Sequence, residues 1–437
     1  MTEGAKATDQ PAPSPDHPAE AGSDVGVGVP GAGGRNAAVL VVFTALTNLA
    51  DGVMKIALPL VATSLTKSPA LISGVMLTLS LPWLLTALHV GVLVDRVDRR
   101  KLVWVANGIQ VTVVGALFGL AVSDMLNLPI IYVCGTVLGI AEVIAMTSAA
   151  ALVPDVVGAS DRERANTWVA GAETVCQEFA GPFVGGLLVG VGASFALGAT
   201  MVGYGLTAAV LALLVYRFRA ATTSGEAEPT VREQIGEGLR FLWQHRLMRT
   251  LAVVVAVLGS CWGAWFAVMP LYATDVMDLS PADYGLLVGA LGVGGIAGTF
   301  VVGWYNRIFG RRWAMLITIC LTSVMMAVPA MATNKWAVGG AAFLGGVGGT
   351  LWTVNVRTIM QTVVPSSMMG RFGATFRLFA FGSTPVGAGL AGVLAESLST
   401  PAALGAFAIG SLIMIAPFVH VFTSDAQKDI DNRLKQS

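Results

Sequence analysis

Charge is scarce in this 437-residue sequence, and what little there is cancels. Asp, Glu, Lys and Arg make up 12% of the residues, with 26 bases against 26 acids and a formal net charge of +0. A nucleic-acid binder needs a concentrated excess of Lys and Arg, so no nucleic-acid partner is expected. The four cysteines, Cys134, Cys176, Cys261 and Cys320, stand alone inside apolar stretches. Without metal-ligand spacing or a pairing pattern, they read as small buried hydrophobes. Four scattered histidines, His17, His89, His245 and His420, offer no metal site, and neither H-E-x-x-H nor G-x-S-x-G occurs. There is also no Gly-Lys dipeptide, hence no phosphate-cradling loop of the form G-x-x-x-x-G-K-S/T. The expectation is a protein that is not an enzyme, holds no cofactor or metal and does not hydrolyse ATP.

What the chain has in abundance is apolar surface: 55% hydrophobic residues and a mean hydropathy of +0.73. Such a composition suits a bilayer better than water. At about 20 apolar residues per span, the sequence divides into twelve: 38–62, 70–90, 102–122, 129–152, 165–190, 195–216, 250–273, 283–305, 313–333, 337–358, 372–395 and 402–422. Residues 1–36, rich in Pro, Gly, Ala and Asp, cannot bury a core and read as a disordered cytoplasmic tail. They lack the basic start and apolar centre of a secretory signal. Six spans fill 37–217, a linker covers 218–248, six more fill 249–423, and 424–437 forms a second tail. Within the linker, Ile235, Leu239, Leu242 and Trp243 share one helical face, predicting an amphipathic surface helix.

Alternate loops carry the positive charge. One side holds Arg96, Arg99, Arg100 and Lys101, then Arg162 and Arg164, the linker, then Arg307, Arg311, Arg312 and Arg371. The other side has only Lys67 and Lys335 beside Asp124, Asp275, Asp278, Asp283 and Glu396. Because Lys and Arg in short loops stay cytoplasmic, both termini are expected there, in a multi-pass protein of the cell membrane.

Two charged turns repeat. Gly91, Asp95, Arg96, Asp98, Arg99 and Arg100 lie between spans two and three, and Gly303, Asn306, Arg307, Gly310, Arg311 and Arg312 recur 212 residues later (303 − 91). Two equivalent turns imply two equivalent halves. The first turn resembles the G-x-x-x-D-R-x-G-R-R/K signature of the major facilitator superfamily, with Asp98 where glycine is usual. Over nearly the whole chain beyond the tail, the resemblance implies an all-α membrane protein of twelve helices in two pseudo-symmetric six-helix halves. It also implies that Asp95 latches onto a helix N-terminus of the other half, sound electrostatics for an anion at a positive dipole end, and that Asn306 lacks the charged version of that latch.

Span five carries Gly181, Pro182, Gly185 and Gly186. Together they are similar to the G-P-x-x-G-G element of the superfamily's exporters and read as a hinge, because glycines allow close helix contact and proline removes a backbone donor. The phrases LTNLADGVMKIALPL, ALVPDVVGASDRERAN and GEGLRFLWQHRLMRTL resemble the enterobactin-exporter and macrolide-efflux branch, which implies proton-coupled efflux of a lipophilic small molecule by a monomer. Import of a small nutrient in symport with protons is the alternative.

Ionisable groups at mid-membrane depth are costly and rarely kept without a role. Asp51 lies about 13 residues, or about 20 Å, into span one, and Asn48 and Lys55 fall on its face at i−3 and i+4. Glu142 sits about as deep in span four, with no basic residue three or four positions away. Lys55 is expected to keep Asp51 ionised, leaving Glu142 as the group that takes up and releases protons. Glu173, Gln177 and Glu178 add polar candidates in span five, as does Asn355 in span ten. Trp262, Trp265 and Phe266 of span seven, with Trp352 of span ten, could wall a cavity for a lipophilic substrate.

Overall fold

The computed structural model describes residues 33–157, 162–214, 231–365 and 368–436. Positions 1–32 and 215–230 lie outside the described residues, as do the side chains of Asp95, Glu178 and Ile235. The described residues form helices joined by short turns, without strands.

The first half comprises α1 (Gly33–Leu65), α2 (Pro69–Arg96), α3 (Arg99–Val122), α4 (Leu128–Val156), α5 (Arg162–Glu173) continuing through a π-helical segment, Thr174–Ala180, into α6 (Gly181–Val191), and α7 (Ala193–Ala212). A short α8 (Val231–Gln244) precedes the second half. That half holds α9 (Arg246–Leu271) with a π-helical end, Tyr272–Val276, then α10 (Pro281–Met331), α11 (Lys335–Val363), α12 (Met369–Ser397), α13 (Thr400–Ile413) and α14 (Ile415–Val421). The chain then runs into α15 (Ser424–Gln436).

Eleven helical stretches among the described residues are long and apolar enough to cross a membrane. One of them, α10, has 51 residues and at 1.5 Å per residue would be about 76 Å long, over twice the hydrocarbon thickness. It breaks at Gly310, whose φ of 82° and ψ of 162° only glycine adopts readily. The two pieces are spans eight and nine, which brings the spans to twelve. Spans five and six part at Gly192, φ 156°. Asp98, in place of the usual glycine, keeps φ at −55° and caps α3 by accepting from the Arg100 amide. The turn therefore needs a capping side chain and no left-handed backbone.

Helices alternate between a tail end, where the chain enters α1 and the turns at Asp98 and Gly310 lie, and a distal end. Five helices starting at the distal end are capped by Ser68, Asn127, Ser280, Asn334 and Ser399. The halves meet closely there. A Cβ on Gly186 of α6 would strike the backbone of Gly285 in α10, Gly190 faces Ala282, and Gly392 of α12 faces Ser73 and Ala70 of α2. Lys67 pairs with Asp275 at 2.7 Å, and Glu396 accepts from the Ser68 hydroxyl at 2.7 Å and the Ala70 amide at 3.3 Å. Toward the tail end of the same helices, a Cβ on Gly171, Gly303 or Gly373 would meet open space. The halves thus form a V closed at the distal end.

At the tail end, α8 buries Leu242 against α9, while Leu239 and Trp243 stay largely exposed, so the expected apolar face is only partly covered. The expected tail over 424–437 is α15, folded against the second charged turn. Arg311 pairs with Asp431 at 2.5 Å, Arg312 donates to Ser424, and the Gln427 side chain lies over Gly310.

Candidate functional site

A polar layer crosses the middle of the first half. Below it, nearer the tail end, Phe43, Val103, Leu152 and Leu211 belong to one apolar cluster. Above it, Met54, Val114, Leu138 and Leu197 belong to another. Between them the same four helices carry buried polar residues: Thr47, Asn48 and Asp51 on α1, Asn107 and Gln110 on α3, Glu142 and Ser148 on α4, and Tyr204 and Thr207 on α7.

The layer's ionic part is assembled by glycine contacts. A Cβ on Gly52 of α1 would meet the Gln177 carbonyl oxygen and Pro182, and one on Gly181 would meet α1 backbone in turn. Gly185 packs on Val53 in the same way. Spans one and five therefore touch backbone to backbone. The Gly181 amide reaches back five residues to the Cys176 carbonyl, while Pro182 has no amide to give. This wider π turn sets Gln177 against Glu142.

Lys55 does not serve Asp51 as expected. Its Nζ lies 3.2 Å from Glu142 Oε1, and Gln177 Nε2 donates to the same oxygen at 2.6 Å. Glu142, expected to have no basic neighbour, has one from another helix. Asp51 instead accepts from the Tyr204 hydroxyl at 2.5 Å and from Gln110 Nε2 at 3.0 Å, both through Oδ1. Asp51 stands one turn before Lys55 on α1, buried in the same layer as Glu142. Two buried carboxylates thus share the field of one ammonium group. Sequence reasoning missed Tyr204, Gln110 and Asn107. Their signal was a polar residue at helical spacing inside an otherwise apolar span, Asn107 with Gln110 and Thr200 with Tyr204 and Thr207.

Several buried polar atoms in the layer have no partner among the described residues: Thr44 and Thr47 Oγ1, Asn48 Oδ1, Asp51 Oδ2, both amide atoms of Asn107, Gln110 Oε1 and Ser148 Oγ. Each such atom costs about 1–3 kcal/mol if nothing satisfies it. Together they would rival the stability of a typical domain.

The other candidates separate. Trp265, 1% exposed, packs edge-on against Phe266 at 5.3 Å and beside Tyr284, and Trp352, 5% exposed, lies against Phe418. Both are buried core residues in this conformation. Trp262 and Phe266 are half-buried, 6.1 Å apart, with the Trp262 ring over Gly349 of α11. Asn355 is fully buried and accepts from Asn306 Nδ2 at 2.9 Å, so the neutral residue of the second turn ties span eight to span ten. In the first turn Arg99 donates to the Ala151 carbonyl at 3.0 Å, and the latch expected of Asp95 falls on a side chain outside the described residues. Glu173 is half-buried on α5.

Comparison with known proteins places this geometry. A family profile described as transmembrane secretion effector matches residues 35–435. The multidrug efflux pump Tap of Mycolicibacterium fortuitum is 27% identical over 395 residues, covering 87% of this chain and 94% of that protein. The enterobactin exporter EntS of Shigella boydii is 27% identical over 381 residues, covering 83% and 86%. In fold, the chain is similar to a bacterial homologue of the iron transporter ferroportin in an inward-facing state, with TM-score 0.68 and 16% identity over 88% of this chain and 98% of that one. The nucleoside transporter NupG gives TM-score 0.69 at 11% identity, covering 89% and 99%.

Proposed function

Because this chain belongs to the transmembrane secretion effector family of the major facilitator superfamily, and is a multi-pass membrane transporter, we propose that it exports a lipophilic small molecule in exchange for protons. The observation that carries the proposal is the ion pair of Lys55 with Glu142 at 3.2 Å in a layer that also buries a second carboxylate, Asp51. Three charges in a low-dielectric layer leave one negative charge over, and a single proton removes it. Loading and unloading that proton changes the charge the bundle must bury. An electrostatic cycle of this kind can be linked to the opening and closing of the V.

Glu142, held by Lys55 and Gln177, is the member nearest the hinge, since Gln177 lies one turn before Gly181 and Pro182. A proton on Glu142 weakens its pull on Lys55 and Gln177, and the π turn transmits that slack to α6, whose Gly186 touches the other half. Asp51 and Glu142 are the proton-coupling residues in this reading, with Glu173 and Glu178 at the approach. Asn48, Lys55, Gln177, Trp262 and Phe266 are the candidates for substrate contact. By the distribution of positive charge, the tail end is cytoplasmic, so the closed distal seam faces outward. Proton entry down a 100 mV potential supplies about 2.3 kcal/mol per charge, enough for roughly fifty-fold concentration of substrate outside.

A susceptibility panel of dyes, antibiotics and siderophores, comparing cells with and without the protein, identifies a substrate. Everted vesicles loaded with acid then show whether that compound discharges the pH gradient. Expected is discharge by the wild type and its loss in Glu142→Gln and Asp51→Asn. Higher cellular accumulation on expression would overturn export, and discharge that survives both substitutions would overturn this coupling site.

A further inference from the structure

Asp51 is reached by protein hydrogen bonds at one oxygen only. Its Oδ1 takes the Tyr204 hydroxyl and the Gln110 amide, while Oδ2 is buried with no protein donor. On the tail side of that oxygen lies the run of unmatched polar atoms contributed by Thr44, Thr47 and Asn48 of α1, Asn107 of α3 and Ser148 of α4. Asn107 is the clearest case. It is 1% exposed, and neither its amide nitrogen nor its oxygen meets a protein partner. A side chain with two donors and one acceptor at the centre of a bundle is satisfied either by protein or by water.

Room for water is present. A cleft of about 20 Å³ lies beside Thr44, Thr47 and Asn48, bounded by Ala145 and Ala149 of α4 and by Glu173 of α5. That volume holds about one water molecule, and the two hydroxyls and the amide oxygen supply the partners such a molecule needs. The cleft therefore connects a half-buried carboxylate on α5 with the residue one turn before Asp51. Among the described side chains, the titratable or charged groups around Asp51 are Lys55 on its own helix, Glu142 on α4, Glu173 on α5 across the cleft, and Tyr204 on α7, while Glu178 of the π-helical segment lies outside them; α6 contains none, and α3 presents only amides here.

We infer that a file of bound water enters at this cleft beside Glu173, passes Thr47, Asn48 and the buried Asn107, and carries protons to Asp51 through the polar layer of the first half. The inference deepens the proposed function and rests on its premise that Asp51 exchanges protons. It assigns Asn107 and Thr47 as positioning residues, which hold water and touch no substrate.

The test follows Asp51 itself, without substrate. Purified protein in lipid nanodiscs is taken through a pH jump while infrared spectroscopy records the carboxylic C=O stretch, assigned to Asp51 by its disappearance in Asp51→Asn. Thr47→Val keeps shape and removes a hydroxyl; Asn107→Leu keeps volume and removes both amide atoms. Each variant is expected to slow the appearance of the band roughly tenfold, equivalent to about 1.4 kcal/mol on the barrier, with its final amplitude unchanged. Wild-type rates in both variants would overturn the water file while leaving Asp51 a proton site reached through the central gap. A spectrum unaltered by Asp51→Asn would instead remove the premise, and the inference with it.

Discussion

Replacing Gly186 by alanine should prise the distal seam apart. A Cβ at this position falls on the Cα and amide nitrogen of Gly285, closer than any real Cβ contact, and the neighbouring atoms are backbone, so no side chain can turn aside. The reciprocal clash exists, since a Cβ on Gly285 would strike Gly186 and the Leu187 amide. Inserting a methyl group into such a contact costs about 1–3 kcal/mol. That cost falls only on the closed arrangement, so the equilibrium between closed and open distal ends should shift by roughly 5- to 150-fold. Spin labels at Met125→Cys and Met331→Cys in a cysteine-free background report it. These sites are 65% and 86% exposed and stand at the distal ends of the two halves. Electron–electron resonance should show a longer distance population growing in Gly186→Ala and in Gly285→Ala. The double variant should add little, because both methyls break one contact. Gly205→Ala, which meets open space, serves as the control. Identical distance distributions in Gly186→Ala and wild type would refute the argument that this contact closes the seam.

Further outcomes follow from the tail end. Gly310→Ala should lower stability by about 1–3 kcal/mol, because its backbone lies in a region reserved for glycine and a Cβ would displace Gln427 from the Arg312 amide. The thermal midpoint in detergent measures this, and a Gln427→Ala change should not restore it. His245 caps α9 by accepting from the Met248 amide through Nδ1, which requires the neutral ring; burial and the nearby Arg433 hold its pKa below the ordinary 6.5. The stabilisation is therefore complete above about 6.5 and lost as pH falls through the lower folded value. The protection factor of the Met248 amide, its exchange rate relative to the intrinsic rate at each pH, should fall at acid pH in the wild type and not in His245→Asn, which caps without titrating.

The fold was largely legible because each element announces itself locally. Apolar runs gave the spans, and Gly192 and Gly310 fell at the cuts expected between spans five and six and spans eight and nine. Residues bound for one layer were also visible: Asp51, Lys55, Glu142 and Gln177 are brought together. Their pairing was not. Helical spacing favours Lys55 with Asp51, yet the lysine reaches across to Glu142, since the glycine contacts between α1 and α6 bring span five and its Gln177 alongside. Which partner wins depends on interhelical distance, and sequence periodicity carries no such quantity. Tyr204 and Gln110 were invisible for a related reason. Uncharged polar residues in apolar spans are common, and only the neighbour opposite makes them functional. The tryptophans misled in the other direction, as Trp265 and Trp352 fill space between helices that sequence alone could not show to be adjacent.

The docking of α15 has a consequence for how the polypeptide is made. Arg311 meets its acid 120 residues further along, so the hairpin of spans eight and nine has left the ribosome and entered the bilayer well before its clamp is synthesised. During that interval the contacts of Gln427 over Gly310 and of Asp431 with Arg311 do not yet exist. The second half can therefore collect its remaining helices around a joint that is still free to adjust. Rigidity arrives last, when residues 424–431 fold onto the arginines and fix the angle that earlier translation left open.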